Sequence, residues 1–230
     1  MCIIPNTCLV FQLKYIYNNY MLRNEDSRIP LPKIIPPGVS QRFERNQEIE
    51  RMISPMLDSL GHINGQGRYP VSEMRFGRVS AGFASCEVIA IYNVLNDLGM
   101  HRSLSELIYY DEALGFLFAF GYFGTKISKI GSILSRLDVQ FEKLRPGRFL
   151  QKAVRGEWDE GQIFIGTIRT RSDLPICPLH TFEMVFCNGK WIVFNRFDNC
   201  ARSMVYDDIE SVLWNGKQKG KFYSIYRILR

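Results

Sequence analysis

The sequence predicts an α+β fold in which a helical half precedes an antiparallel sheet. Three observations predict it: helical periodicity confined to the middle of the chain, strand-like runs that follow one another closely after residue 160, and an Asn-Gly pair set between two alternating runs. The stretch "GFASCEVIAIYNVLNDLG" (82–99) opens the helical part. Val88, Ile91, Tyr92, Leu95 and Leu98 recur at the spacing of one helix face, and Gly99 closes it. A second helix opens near Ser103 ("SLSELIYYDEAL"). A third follows Gly124-Thr125 ("KISKIGSILSRL"), with Thr125 expected as its N-cap. The strand-like pieces are "QIFIGTIRT" (162–170), "HTFEMVF" (180–186), "WIVFNRF" (191–197) and "KFYSIYRIL" (221–229), interrupted by a short helix in "YDDIESVLW" (206–214).

Upstream, the proline-rich "RIPLPKIIPPGVS" (28–40) predicts an extended strap behind a short hydrophobic arm. Ser40 is placed to cap a helix through "QRFERNQEIERMI" that ends before Pro55, and "GHINGQGRYP" (61–70) is loop by composition. Residues 1–70 are therefore expected to be an N-terminal arm, strap and helix, and residues 71–230 the main domain. No internal repeat or low-complexity tract is present.

The 230 residues, 46% hydrophobic and 23% charged, are enough to bury a real core without disulfide staples. The six cysteines are scattered unevenly, which fits a reducing compartment better than a disulfide scaffold. The formal charge of +6 has no focus beyond "KQKGK" (217–221), and no basic stripe is interleaved with aromatics, so nucleic acid is not an expected partner. The longest apolar run, "LGFLFAFGYFG" (114–124), is too short to span a membrane, and the first residues lack the pattern of a signal peptide. A cytoplasmic protein with no membrane span is the expectation.

Asn188-Gly189 is a strong hairpin signal, because a type I′ turn needs positive φ at both positions. Centred there, the register sets Cys187 opposite Lys190, Phe182 opposite Asn195 and His180 opposite Phe197. His180 and Asn195 then share a face as diagonal neighbours about 7–8 Å apart at the backbone. Cys86 lies where the first helix begins, where unpaired N–H groups lower a thiol pKa. A nucleophilic thiol also needs a base and a group that fixes the base in one tautomer; His180 and Asn195 supply them.

This Cys…His…Asn order, with the thiol at a helix start and its partners on adjacent strands, resembles the papain-like cysteine peptidases. The Cys86–His180 interval is shorter than in papain and the cathepsins. With Gly124-Thr125 ahead of a later helix, the pattern is similar to the compact bacterial peptidases that trim double-glycine leaders, the bacteriocin- and butirosin-processing type. The resemblance covers roughly residues 77–200. It implies a papain-like fold, a peptide or protein substrate, no cofactor and no metal, with Cys86, His180 and Asn195 as the triad. Where those families carry a glutamine shortly before the cysteine, "GRVSAGFASC" has none, so Ser80 or a backbone N–H is the expected oxyanion donor. Asn195 stands where the leader peptidases carry aspartate. Tyr122, Phe123, Gly124 and Thr125 are expected along the substrate groove.

Glu87, beside the thiol, is expected to project about 100° around the helix and stay solvated, leaving Cys86 with a lowered pKa. His62 and His101 are expected at the surface and "FLFAF" (116–120) in the core. "CPLH" (177–180) with Cys187 and Cys200 does not make a zinc site, because hairpin parity turns Cys187 away from His180. A papain-like fold used for peptide binding, or an acyltransferase or deamidase on the same triad, uses the same residues.

Overall fold

A computed structural model describes residues 35–170, 179–216 and 218–229. The N-terminal arm, most of the proline-rich strap and Cys177 lie outside the described residues. The chain enters through Gly38 at φ 76, which takes the N-cap position of α1 (Val39–Glu50). Ser40 therefore sits inside the first turn and does not cap the helix. A small hairpin, β1 (Arg75–Phe76) with β2 (Val79–Ser80), leads into the short α2 (Ala81–Ala84) and the long α3 (Cys86–Asp97). α4 (Leu104–Ala113) begins where Ser103 Oγ accepts the Glu106 N–H, as its sequence predicts. Then come α5 (Ile130–Arg136), β3 (Phe141–Leu144) and α6 (Pro146–Val154).

The C-terminal half holds β4 (Gln162–Arg169), β5 (Leu179–Cys187), β6 (Lys190–Phe194), β7 (Met204–Tyr206), α7 (Ile209–Val212), the β8 (Trp214–Asn215)/β9 (Gln218–Lys219) pair and β10 (Lys221–Ile228). Six strands form one antiparallel sheet in the order β3-β10-β4-β5-β6-β7. The fold class is α+β, as predicted.

Strand alternation divides the apolar residues between two cores. Ile163, Ile165 and Val185 face α3, α4 and α5. Phe164, Ile168, Phe182, Met184 and Phe186 face the other way, onto Phe149 of α6 and Val212 of α7. Phe149 makes edge-on contacts with Phe164, Trp191 and Phe222 at centroid distances of 5.2, 5.6 and 5.4 Å. Gly166 makes room for this second core, since a Cβ there would lie 2.7 Å from Met184 Cε. Ile53, Met56 and Ile63 belong to the same core as α3, so the folded body extends upstream of Val71.

The β5–β6 hairpin turns at Asn188 (φ 52) and Gly189 (φ 71). Its register sets Cys187 opposite Lys190 and continues to Glu183 opposite Phe194, following the expected pairing. There it stops. Asn195 adopts φ 52, a left-handed conformation that ends β6 three residues before the expected strand end. "FLFAF" departs from expectation too: Phe118 and Phe120 are 52% and 67% exposed, with the Arg78 guanidinium 4.7 Å above the Phe120 ring. No helix among the described residues is long and apolar enough to cross a membrane.

Candidate active site

α3 is buried along its whole length. Its first residue, Cys86, is 5% exposed. Ser85 ahead of it turns its side chain back, Oγ donating to the Ala81 carbonyl at 2.6 Å. Because β6 has ended at Phe194, the start of β5 has no strand on that side, and the Thr181 N–H there faces the Cys86 sulfur and acts to lower its pKa. The thiol donates to Glu87 Oε2 at 3.3 Å.

Glu87 is buried rather than solvated. It points under the turn before α5, where the Thr125 N–H acts to lower its pKa. A Cβ on Gly124, at φ 74, would lie 2.8 Å from Glu87 Oε2. Only glycine fits there. The Thr125 hydroxyl does not cap a helix; it donates to Asp111 Oδ2 at 2.7 Å. Burial pushes the Glu87 carboxyl up to about 7 and that of Asp111 up to about 8.

Burial and the adjacent Glu87 carboxylate together push the Cys86 thiol well above its ordinary range, outweighing the Thr181 N–H. This reverses the expected direction. A carboxylate needs only a different rotamer to fold back onto the preceding residue, so the 100° step around the helix did not keep it away from the sulfur.

His180 stands at the start of β5, half-buried, with Nε2 2.7 Å from the backbone carbonyl of Asn195. Burial pushes the imidazole below its ordinary value, against the pull of that carbonyl. A neutral ring donating from Nε2 keeps Nδ1 as its basic nitrogen. Asn195 thus holds the imidazole through its main chain. The expected bond from His180 to the carboxamide is not made, because the left-handed turn at Asn195 takes its side chain out of strand parity.

The carboxamide of Asn195 instead forms a reciprocal pair with Gln66: Asn195 Oδ1 accepts the Gln66 N–H at 3.0 Å, and Nδ2 donates to Gln66 Oε1 at 2.9 Å. Asn195 N–H donates to Asn64 Oδ1 at 2.9 Å. Gln66 carries no local signal in the sequence, because it lies outside the stretch just before Cys86 where the resemblance places an amide. It reaches the site from a loop in which His62, Ile63, Asn64 and Gln66 are all buried. Its Nε2 donates to the Gly82 carbonyl at 3.2 Å, four residues before the thiol. A Cβ on Gly82 would collide with Ser72 Cα at 2.8 Å and the Gln66 carbonyl at 2.9 Å.

Ser80 is not available as an oxyanion donor. Its hydroxyl accepts the Gly82 N–H at 3.0 Å as the cap of α2 and donates to the Ser72 carbonyl at 2.5 Å. Tyr122 and Phe123 are exposed, as is Phe83 three residues before Cys86. The structure therefore joins His180 to Asn195, Asn195 to Gln66, and Cys86 to the residue after His180. No hydrogen bond between Cys86 and His180 is among those of the described residues.

His62 is fully buried, contrary to expectation, and lies with Asp97 and Glu183 in a group whose donor atoms are within 4.8 Å of one another. His101 is exposed, as expected.

Among known proteins, no family model matches this chain and no curated protein matches it.

Proposed function

We propose that the chain is a thiol-dependent peptidase or related acyl hydrolase of papain-like fold, acting on a peptide or protein through Cys86, His180 and Asn195. The observation that carries this reading is the sulfur at the N-terminus of α3, facing the Thr181 N–H, next in sequence to a histidine whose imidazole is held by Asn195 through Nε2. In the reaction, His180 Nδ1 takes the thiol proton as sulfur adds to the substrate carbonyl. The oxyanion forms beside the Cys86 N–H, and the imidazolium returns its proton to the leaving amine. Water, activated by the same imidazole, then releases the acid. Asn195 positions the ring, and Gln66 holds Asn195 in place. The exposed rings of Phe83, Tyr122 and Phe123 are an apolar surface suited to substrate side chains.

A second reading, a papain-shaped peptide-binding module, is favoured by one observation: Cys86 is buried with its thiol 3.3 Å from the Glu87 carboxyl, and both burial and that carboxyl push its pKa up. Labelling with a peptidyl thiol-directed electrophile separates the two. The hydrolase reading expects Cys86 to be modified in preference to Cys200, the other free cysteine among the described residues, and the preference to disappear in His180→Ala. Equal labelling of both cysteines, indifferent to His180, leaves the binding module.

A further inference from the structure

We propose that His62, Asp97 and Glu183 form a binding site for a divalent first-row transition metal ion, with zinc the best match. The three residues come from separate parts of the fold: the buried loop before β1, the last residue of α3, and the face of β5 that packs on α3. His62 Nε2 lies 2.8 Å from Asp97 Oδ1 and 4.0 Å from Glu183 Oε2. Tetrahedral zinc with bonds of about 2.0–2.2 Å sets its donors about 3.3 Å apart, a value these two spacings bracket. One imidazole and two carboxylates suit zinc and its neighbours better than calcium or magnesium, which favour oxygen alone.

An ion pair alone accounts for only part of the cluster. It explains why His62 meets Asp97, but leaves Glu183 fully buried with neither carboxyl oxygen in a well-formed hydrogen bond among the described residues and another carboxyl, Asp97, as its nearest side-chain partner besides His62. Such a group is costly unless something positive faces it. A cation between Glu183 and His62 Nε2 supplies that partner. The far side of the ring supports the same assignment: Asp58 Oδ1 lies 3.4 Å from His62 Nδ1. At that distance Nδ1 makes no hydrogen bond, but the carboxylate is placed to take its proton once a metal occupies Nε2. Three protein ligands leave the fourth position to water.

The site has a consequence for the proposed active centre. Asp58 Oδ2 accepts from Asn64 Nδ2 at 3.1 Å, and Asn64 Oδ1 accepts the Asn195 N–H. A metal on His62 thus steadies the loop that also carries Gln66. This role is structural and needs no turnover to be seen.

The test uses the full chain, stripped with chelator and then titrated with zinc alone. We expect one zinc per chain and a rise in Tm of roughly 5 °C or more at saturation. Both should be lost in Glu183→Gln, which keeps the shape and removes the charge, and both should persist in Cys86→Ala. Cobalt in place of zinc should give visible absorption without a thiolate charge-transfer band. The His62 Nε2 nitrogen resonance in the unaltered protein should move on metal addition, a reading that holds even if Glu183→Gln fails to fold. No zinc retained, equal retention in Glu183→Gln, loss in Cys86→Ala, or an unmoved His62 resonance would each overturn the proposal.

Discussion

Glu87 is one residue from the sulfur in sequence and 3.3 Å from it in space, and it sets the thiol's chemistry. Replacing it by glutamine removes the charge next to Cys86 while keeping the side-chain volume. The apparent pKa for iodoacetamide alkylation of Cys86 should then fall, with at least tenfold faster labelling at pH 7. An unchanged profile would mean burial alone holds the proton. Asn195 gives a second residue-level test, because its carbonyl and its carboxamide have different partners. Asn195→Gly keeps the left-handed backbone easily; Asn195→Ala pays about 1–2 kcal/mol for it. The glycine variant should be the more stable by about that amount in urea unfolding, and both should keep the Nε2–H tautomer of His180 by nitrogen NMR. A tautomer lost in both would assign the imidazole to the side chain. Cys86 at its helix start and His180 at its strand start were legible from periodicity alone. The fold-back of Glu87 was not, since a rotamer decides it.

Elements were read more securely than their ends. The Asn188-Gly189 turn fixed the β5–β6 register, because two positive φ angles side by side have few other uses. The same alternation was carried too far along β6. "WIVFNRF" continues to alternate in sequence, but the chain exchanges strand pairing at Asn195 for hydrogen bonds to Asn64 and Gln66, contacts from a loop more than a hundred residues upstream. No local pattern announces a partner that distant. The turn before α5 shows the converse, a local glycine whose reason is tertiary. Gly124→Ala would set a methyl group 2.8 Å from Glu87 Oε2 and 2.9 Å from the Ala84 carbonyl at a φ of 74. It should destabilise the protein by about 2 kcal/mol or more, read as a lower urea midpoint with an unchanged m-value. Gly189→Ala, with open space around its Cβ, should cost only about 1 kcal/mol for its φ.

At the scale of the molecule, the sheet is covered on both faces and the first core encloses several ionisable groups. Burial lifts Glu87 to about 7 and Asp111 to about 8, against ordinary values of 4.5 and 3.8. Between the unfolded and folded values the native state keeps protons that the unfolded chain has released, so these groups cost stability as pH rises through that window. For Glu87 alone this is about 3 kcal/mol. Two groups oppose. His180, lowered by burial, gains stability for the fold as pH rises toward 6.5. Asp58, lowered by His62 despite its burial, loses its contribution only in acid. Thermal stability should therefore peak below pH 7 and fall between pH 7 and 8, with a shallower fall in Asp111→Asn. A Tm that rises across that interval would contradict the buried, protonated state of Asp111. The α+β class was legible because helix and strand periods are local. That His62 lies at the centre of the protein was not, since a loop rich in glycine and amides reads as surface until its partners are known.

The Thr181 N–H facing the Cys86 sulfur gives the protein a built-in reporter. An amide proton facing a neutral thiol is weakly polarised, and the same proton facing a thiolate is drawn strongly downfield. Thr181 is a backbone group in the middle of the fold, so its resonance follows the charge on the sulfur without a label at the thiol. Titrated in the unaltered protein and in Glu87→Gln, that one cross-peak would show at what pH the sulfur loses its proton and how far the neighbouring carboxyl moves that point.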